Sequence, residues 1–402
     1  MNNIYIYNPT SEMALANGTV SYMPPKNLQT FEKDLAFVPS FFAEDDDIII
    51  MDAKPDPDFI KMWQDMGLPK LKYLNFSEIK DVITFNHLRP WSWNQTVHHK
   101  FKTILPNCSD DFKLSPNYTW NNEHKFFFSR NSANRVQKYI SEKVVNHHAV
   151  NIPCPAININ SVEEMQEWLK NYSKAIIKMP WSSSGRGIHI IDDESGKNIN
   201  YDWIKGAIKQ QGFVTAEPLL NKIFDFSFQL NIKRNGAIEC LGYSYFLNDS
   251  KGHFIGGNIN WPHKEDDISE FLNSSTLQEA TQLLITGLKT IEPHKFHEGP
   301  IGVDAIVFMD NNNTYKIHPC LDINWRYNMG LINIRLPRFV HKEAKGKWLV
   351  GSFKPGEWNQ FIQKSKEANP LALVNNKIKS GFINMTPPNE NARFGVWMEI
   401  FK

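Results

Sequence analysis

The sequence lacks the features by which several classes of protein are recognised. Its 402 residues contain 44 lysines and arginines against 43 acidic residues, so the chain has no net field to attract a nucleic acid or an anionic membrane. No apolar run approaches the roughly 18 residues of a membrane-spanning helix, and the N-terminus lacks a basic segment followed by an apolar one. These absences predict a cytoplasmic protein that binds neither nucleic acid nor membrane, and that binds any anion through a local site.

Cysteine is scarce, and several catalytic motifs are missing. The four cysteines include no Cys-x-x-Cys pair and have no nearby histidine at metal-binding spacing, which fits a reducing compartment. We expect them to be small buried side chains: Cys108, Cys154, Cys240 and Cys320. The sequence also lacks a Walker A motif, a Rossmann fingerprint, Gly-x-Ser-x-Gly and His-Glu-x-x-His, which disfavours the enzyme classes that depend on those motifs.

The length of the chain exceeds what one hydrophobic core usually organises, so we expect two or three packed subdomains. Residues 1–125 alternate short apolar runs with helical patterns, which is typical of a small α/β domain. From Ala175 onwards, short β-rich segments are separated by turn residues and interrupted by one long helical pattern, Thr276–Ile291. This pattern predicts an α+β class, and we divide the chain after residue 125 into two subdomains, residues 126–216 and residues 217–402.

The first chemical signal is a loop of small residues that follows Lys178 and separates two apolar segments, which predicts the tip of a hairpin. Small residues let backbone N–H groups approach phosphate oxygens, while hydroxyls, an arginine and the Lys178 ammonium add donors. A solvated turn and a surface lysine are the alternatives that these residues leave open. The loop residues that could contact a nucleotide are Ser182, Ser183, Ser184, Gly185, Arg186 and Gly187.

The second signal is a pair of acidic residues on consecutive predicted strands. Asp304 interrupts an otherwise apolar strand, and a lone buried carboxylate needs a cation or several donors. In the next segment Asp322, Asn324 and Arg326 fall on one face, because side chains alternate along an extended chain. Two carboxylates and an amide oxygen suit Mg²⁺, with Mn²⁺ as the alternative metal. A salt bridge between Arg326 and either carboxylate is the structural alternative.

Between these signals lies a segment that alternates strictly between polar and apolar residues, beginning at Asp225. Its polar set, which includes Ser227, Gln229 and Asn231, lies on one predicted face, as in any sheet with one wetted face. The preceding residues, Glu217–Leu220, are predicted to form the end of a strand.

Taken in order, these pieces resemble the ATP-grasp superfamily of carboxylate-amine ligases. The resemblance runs over roughly residues 126–330 and depends on the order and spacing of the motifs. It implies two α+β subdomains that clasp ATP, preceded by a small α/β domain like the pre-ATP-grasp domain. The motifs that carry it are Lys178-x-Pro180 with the loop to Gly187, Glu217-Pro-Leu-Leu, Asp225-x-Ser227, Gly302-x-Asp304 and Asp322-x-Asn324-x-Arg326.

The resemblance also implies roles for these residues. Lys178 would bind an ATP phosphate, the loop would close over the triphosphate, and Glu217, Leu219 and Leu220 would belong to a linker along the adenine. Asp225 is expected beside the nucleotide. The metal ligands would be Asp304, Asp322 and Asn324, and the catalytic basic residues would be Arg326, Lys178 and Arg186.

Two positions depart from the pattern of the superfamily. Its second metal-binding carboxylate is usually glutamate, where this sequence has the shorter Asp322. A second basic residue that binds phosphate is expected upstream of Lys178, and three residues compete for that role: Arg130, Arg135 and Lys138.

The implied reaction is ATP-dependent activation of a carboxylate, from a small molecule or peptide, as an acylphosphate that an amine or another nucleophile attacks. A small-molecule kinase and a nucleotide-binding regulatory protein without turnover are the alternatives. Two segments could contact a substrate: the polar residues after the first strand, including Glu12, and the segment Arg89–Trp93, which joins a cation to two indoles. A capped loop and a packed aromatic cluster are the corresponding structural alternatives.

Overall fold

The computed structural model describes residues 1–82, 84–144, 148–182, 185, 187–192, 199–249, 254–260 and 267–401. Within these ranges no helix combines the length and the apolar character that crossing a membrane requires. The strands are β1 (Ile4–Ile6), β2 (Ile48–Ile50), β3 (Lys72–Leu74), β4 (Leu88–Pro90), β5 (Ile157–Ile159), β6 (Ala175–Lys178), β7 (Ile188–Ile191), β8 (Val214–Pro218), β9 (Lys222–Ile232), β10 (Ile238–Ser244), β11 (Phe246–Asn248), β12 (Phe254–Ile259), β13 (Gly299–Met309), β14 (Tyr315–Asn324), β15 (Lys345–Ser352), β16 (Ala372–Val374), β17 (Lys377–Asn384) and β18 (Phe394–Phe401).

The helices are distributed among all parts of the chain, with the longest in its C-terminal half. They are α1 (Ser11–Asn17), α2 (Lys26–Asp34), α3 (Pro57–Asp65), α4 (Gln95–Phe101), α5 (Asp110–Lys113), α6 (Asn122–Phe127), α7 (Asn131–Ser141), α8 (Val162–Leu169), α9 (Tyr201–Gln211), α10 (Asp267–Phe271), α11 (Ser274–Thr290), α12 (Met329–Arg335) and α13 (Glu357–Ala368). The predicted helix over 276–291 therefore exists as α11, shifted by one or two residues.

The first sheet is parallel and has the strand order β3-β2-β1-β4. Its central strands are buried runs of apolar residues, as expected when both faces of a parallel sheet are covered. Helix α3 begins after Asp56, whose side chain accepts hydrogen bonds from the N–H groups of Asp58 and Phe59, and Pro57 occupies the first helical position. The predicted α/β character of this region is confirmed.

The second sheet has the order β5-β8-β6-β7 and is antiparallel throughout. Together with α8 and α9 it encloses a small apolar core of its own, centred on Met165, Ile177 and Ile204. Helix α8 is capped by Ser161, whose hydroxyl oxygen accepts a hydrogen bond from the N–H of Glu164 at 3.1 Å. The hairpin of β6 and β7 presents the Ser/Gly loop at one end of this unit.

The third sheet, with the order β10-β9-β13-β14, carries the acidic residues. Helices α7 and α11 pack on it, and its buried face shares one apolar cluster with the first sheet. Cys108 and Cys320 are buried, as predicted. The prediction was wrong for Cys240, which is exposed because it lies on β10, a strand at the edge of the sheet.

The fourth sheet contains six strands in the order β11-β12-β15-β18-β17-β16. Strand β18 pairs with β15 on one side and with β17 on the other, and so lies in the interior of this sheet. A second large apolar cluster joins this sheet to the other face of the first sheet, with Trp63, Phe339 and Trp348 fully buried in it. Residues 1–125 therefore pack against both C-terminal sheets.

Candidate active site

The two aspartates of the candidate metal site face each other across neighbouring strands. Asp304 on β13 is the direct cross-strand partner of Asp322 on β14, and Asn324 is paired with Gly302. The register of β14 shifts between His318 and Asp322, in the segment that contains Pro319, a residue without an N–H group to donate. A shift of this kind re-aims the side chains that follow it. Here it brings the second carboxylate opposite the first.

The electrostatics of this pair favour the arrival of a cation. Burial, reinforced by the neighbouring Asp322 carboxylate, raises the pKa of Asp304 to about 7. The side-chain amide of Asn324 donates a hydrogen bond to Asp304 Oδ2 at 3.1 Å, which opposes the shift. Two carboxylates held this close need a positive charge between them to be ionised together.

The donor set fits Mg²⁺, which usually takes one or two protein carboxylates and completes its shell with water and phosphate oxygens. Within the described ranges no group of three or more histidine, cysteine, aspartate or glutamate side chains could hold a metal. The amide oxygen of Asn324 already accepts a hydrogen bond from Arg326 Nη2 at 2.9 Å. Metal ligation by Asn324 would therefore use the second lone pair of this oxygen or displace Arg326.

Arg326 connects the acidic pair to the N-terminal domain. Its Nε atom donates to the carboxylate of Glu12, on helix α1, in an ion pair that is mostly buried. Its backbone forms an isolated antiparallel bridge with Ser92, which follows β4. Arg326, the predicted catalytic arginine, is thus held by an ion pair of its side chain and by a bridge of its backbone. Glu12 was singled out in the sequence only as a residue after the first strand, and its contact with Arg326 depends on packing between domains.

Lys178, at the end of β6, forms a buried ion pair with Glu217 on β8. The side chains are only 10% and 8% exposed, so neither charge is free in solvent. The structure therefore excludes the open surface lysine that the sequence left as an alternative. It also places the Glu217 carboxylate beside the ammonium of Lys178.

The Ser/Gly loop is a hairpin tip, as predicted, since Lys178 pairs with Ile188 across β6 and β7. Gly187 has a φ of +68°, and a Cβ atom there would lie 2.9 Å from the Cβ of Ser182, so the turn requires glycine. Gly185 also adopts a positive φ, of +72°. The predicted site residues Ser183, Ser184 and Arg186 lie outside the described residues.

Of the three competing basic residues, Arg130 is the one that the structure brings to the site. Its guanidinium donates to Ser182 Oγ at 2.7 Å and to the carbonyl of Met179, and forms an ion pair of 2.8 Å with Asp322. Arg135 and Lys138 are exposed on α7. Arg130 therefore links the loop of the second sheet to the acidic pair of the third.

The remaining predicted nucleotide contacts lie where β8 leads into β9. Leu219 and Leu220 are half-buried, and the N–H of Leu219 already donates to the carbonyl of Lys174 at 3.1 Å. Asp225 Oδ2 accepts from Lys222 Nζ at 2.7 Å and from Asn248 Nδ2 at 3.1 Å. Asp225 also contributes to the raised pKa of Asp304, although as the smallest of five influences.

The pKa of the Cys320 thiol is influenced by charged residues from several of the motifs predicted from the sequence. Burial raises the pKa of this thiol well above its usual range, and the carboxylates of Asp322, Asp304 and, to a smaller extent, Glu217 act in the same direction. The ammonium of Lys178 opposes them. Groups from four different strands therefore act electrostatically on one thiol of β14.

Sequence reasoning missed part of the surroundings of the site. His297 and Tyr327 line a cavity beside Arg326, and neither was singled out. The signal in the sequence was their position, because His297 lies two residues before β13 and Tyr327 immediately follows Arg326.

Comparison with solved structures shows which fold this arrangement belongs to. The structure of biotin carboxylase from Campylobacter jejuni in complex with βγ-ATP matches with a TM-score of 0.52 and 12% identity, over 100% of this chain and 87% of that one. The biotin carboxylase domain of the Hydrogenobacter thermophilus 2-oxoglutarate carboxylase, in complex with MgADP, ADP and bicarbonate, matches with a TM-score of 0.52 and 11% identity, over 99% and 86%. A complex of the Staphylococcus aureus N5-carboxyaminoimidazole synthetase with ADP gives a TM-score of 0.47 at 10% identity, over 100% and 93%.

No protein-family model matches the sequence, and a search of curated proteins finds no similar sequence. The chain has the ATP-grasp fold, preceded by an α/β domain, as the resemblance of the motifs implied.

Proposed function

We propose that this protein is an ATP- and Mg²⁺-dependent ligase, which activates a substrate carboxylate as an acylphosphate for attack by an amine or another nucleophile. The observation that carries the proposal is the pairing of Asp304 with Asp322 across β13 and β14, with Asn324 and Arg326 beside them. A fold that binds nucleotides in its structural neighbours supports it. A protein that only binds a nucleotide has no need of this full acidic set.

The acidic and the basic residues of the site would have different roles. Asp304, Asp322 and Asn324 would hold Mg²⁺, which supplies positive charge to the β- and γ-phosphates when it is bound. Lys178 and Arg130 would bind phosphate oxygens, and the loop that contains Ser182 would cover them. The linker from Glu217 to Leu220, with Asp225 nearby, would face the rest of the nucleotide.

Arg326 would orient the reacting groups. In the first step a carboxylate oxygen of the substrate bonds to the γ-phosphorus while the bond from that phosphorus to ADP breaks. In the second step the nucleophile bonds to the acyl carbon and phosphate leaves. Both steps develop negative charge on phosphoryl and acyl oxygens, which a fixed guanidinium stabilises without forming a covalent bond to the substrate. No nucleophilic side chain is required.

The proposal keeps the predicted division into residues 1–125, 126–216 and 217–402, and the predicted cytoplasmic location. The separate apolar core of the second sheet supports a distinct unit within 126–216. The substrates are expected to be small molecules or peptides that carry a carboxylate and an amine.

The test measures ADP and phosphate release by the purified protein with Mg²⁺-ATP and pooled carboxylates and amines. We expect turnover that needs both pools, that is lost in the double variant Asp304→Ala, Asp322→Ala and that is retained in the control Glu163→Ala, Glu390→Ala, which changes two exposed carboxylates. ADP formation that needs a carboxylate but no amine would instead identify a kinase. Equal turnover by the acidic-pair variant would contradict the proposed site.

A further inference from the structure

A second cavity, of about 180 Å³, lies beside the proposed phosphate site and faces the N-terminal domain. Arg89 and Trp91 line it from the strand β4 and the segment that follows, and His297 lines it from the loop before β13. Arg326 lines this cavity and also the narrow cleft that contains Arg130, Ser182 and Asp322. Arg326 therefore lies between the cavity and the cleft and lines both of them.

Arg89 is a half-buried cation whose hydrogen-bonding capacity is only partly used by the described residues. Its Nη1 atom donates to the hydroxyl of Tyr327 at 3.3 Å, while its Nε atom is buried without a hydrogen-bond partner among the described residues. No carboxylate of the described ranges forms an ion pair with it, whereas Arg326 is paired with Glu12. A guanidinium is always charged in proteins, and a charge taken out of water calls for an anion.

Two further nitrogen atoms around the cavity are buried and unpartnered in the described part of the chain. Trp91 is 2% exposed, and its indole Nε1–H finds no acceptor among the described residues. His297 is 3% exposed; its Nε2 atom lies 3.1 Å from the carbonyl oxygen of Pro300, and its Nδ1 atom has no hydrogen-bond partner among the described residues. A buried donor or acceptor left unpaired costs about 1 to 3 kcal/mol. Such groups around one cavity are typical of a site that a ligand completes.

The chemistry of these groups defines what the ligand must offer. Burial lowers the pKa of His297 to about 4, so the imidazole is neutral at pH 7. Because Nε2 faces a carbonyl oxygen it carries the proton, and Nδ1 is left as an acceptor. The residues that line the cavity thus carry unpartnered donors of Arg89 and Trp91 and an unpartnered acceptor of His297, beside the Arg326 guanidinium that Glu12 and Asn324 already pair. A carboxylate satisfies the donors, and a hydroxyl or amino group satisfies the acceptor.

We propose that this cavity binds the acyl substrate, and that the substrate is a small carboxylic acid with a hydroxyl or amino group near its carboxylate. This inference rests on the ligase function proposed above. The carboxylate lies between Arg89 and Arg326, where the shared arginine faces the phosphate cleft, and the hydroxyl or amino group donates to His297. An engineered cavity of roughly 150 Å³ binds benzene, so this one holds an acid of roughly ten non-hydrogen atoms or fewer.

The experiment is a calorimetric titration of the full-length protein with matched pairs of acids, with and without Mg²⁺ and a non-hydrolysable ATP analogue. The pairs are lactate with propionate, malate or aspartate with succinate, and glutamate with glutarate. We expect at least one hydroxy or amino acid to bind roughly tenfold more tightly than its unsubstituted partner, because only the substituted acid pairs with His297. The absence of binding by every acid, or equal binding within every pair, would overturn the inference.

Variants locate the binding. Arg89→Met, which keeps an unbranched apolar stem and removes the guanidinium, should weaken binding of the acid roughly tenfold or more. Trp91→Phe, which keeps an aromatic ring and removes the indole N–H donor, should weaken it by a smaller factor. Arg135→Met changes an exposed arginine away from the cavity and should have no effect. Binding of the ATP analogue by each variant shows that it is folded.

The result separates the two proposals. Unchanged acid binding by both Arg89→Met and Trp91→Phe overturns the assignment of the cavity, even if the protein hydrolyses ATP. Failure of the wild-type protein to bind the ATP analogue contradicts the ligase, while the acid titration without nucleotide still decides what the cavity binds.

Discussion

Arg130 Nη2 lies 2.8 Å from Asp322 Oδ2, so the guanidinium that reaches the Ser/Gly loop is paired with one of the two carboxylates of the candidate metal site. The same arginine donates to Ser182 Oγ. A metal ion at Asp322 would compete with this ion pair. We therefore expect Arg130 to exchange the carboxylate for a phosphate oxygen when a metal–nucleotide complex binds, which would couple the loop to the metal.

Substitution of Arg130 tests this exchange. Arg130→Met should weaken the binding of Mg²⁺-ATP by roughly ten- to a hundredfold, because a charge-assisted hydrogen bond to phosphate is lost. Arg135→Met, on the same helix but exposed, is the matched control and should bind like the wild type. Calorimetric titration measures both affinities. Equal affinity of the two variants would mean that Arg130 has no contact with the nucleotide.

The acidic pair should make the metal-free protein less stable at alkaline pH. The pKa of Asp304 is raised to about 7 in the folded state, so its contribution to stability is complete below the unfolded value near 3.8 and is lost as the pH rises through 7. Asp304→Asn removes this ionisation and should raise the free energy of unfolding at pH 8, in the presence of EDTA, by about 1 kcal/mol or more.

Urea unfolding at pH 5 and pH 8 measures this effect. The wild type should lose stability between the two pH values more steeply than Asp304→Asn, while Glu390→Gln, at an exposed position, should follow the wild type. If Asp304→Asn has the same free energy of unfolding as the wild type at pH 8, the Asp304 carboxylate is stabilised by the protein itself in the absence of metal.

The buried pair of Lys178 and Glu217 allows stability and nucleotide binding to be separated. Lys178→Met leaves an unpaired buried carboxylate and should cost about 3 kcal/mol or more of unfolding free energy. The double variant Lys178→Met, Glu217→Gln should recover most of that stability, because no lone charge remains. It should still bind Mg²⁺-ATP more weakly than the wild type. Wild-type affinity in the double variant would remove Lys178 from the proposed phosphate site.

A buried histidine on β14 predicts sensitivity to acid. Burial, reinforced by the charge of Lys178, lowers the pKa of His318 to about 3. The neutral ring therefore contributes stability that is complete above the unfolded value near 6.5 and is lost as the pH falls towards 3. Between pH 6.5 and pH 5 the loss should be about 2 kcal/mol.

His318→Gln should reduce this acid-dependent loss, whereas His99→Gln, at an exposed position, should not. Thermal melting at several pH values between 5 and 7 compares the three proteins. Identical pH profiles for the wild type and His318→Gln would contradict the assignment of the loss to His318.

The sequence predicted the parts of the site that are local in the chain. The hairpin around Gly187 follows from small residues between two apolar segments, and the shared face of Asp322 and Asn324 follows from alternation along one strand. The cross-strand pairing of Asp304 with Asp322 could be anticipated only as proximity, because the register depends on the shift at Pro319.

Contacts between distant segments were not predictable in the same way. Arg130 could not be separated from Arg135 and Lys138 on sequence grounds, because its contact with Ser182 depends on how α7 packs against the second sheet. Most of the fourth sheet was also missed. Strands β11 and β16 have three residues each, and β12, β15 and β17 each contain glycine, which weakens the pattern that identifies a strand.

The most direct test of the account is the equilibrium binding of ATP, measured by calorimetry with Mg²⁺ and with EDTA. The wild-type protein should bind ATP, bind it more tightly with Mg²⁺, and lose the Mg²⁺-dependent gain in the variant Asp304→Ala, Asp322→Ala. The control Glu163→Ala, Glu390→Ala should retain the gain. Absence of ATP binding by the wild type, or a Mg²⁺-dependent gain that survives removal of both aspartates, would contradict the central claim.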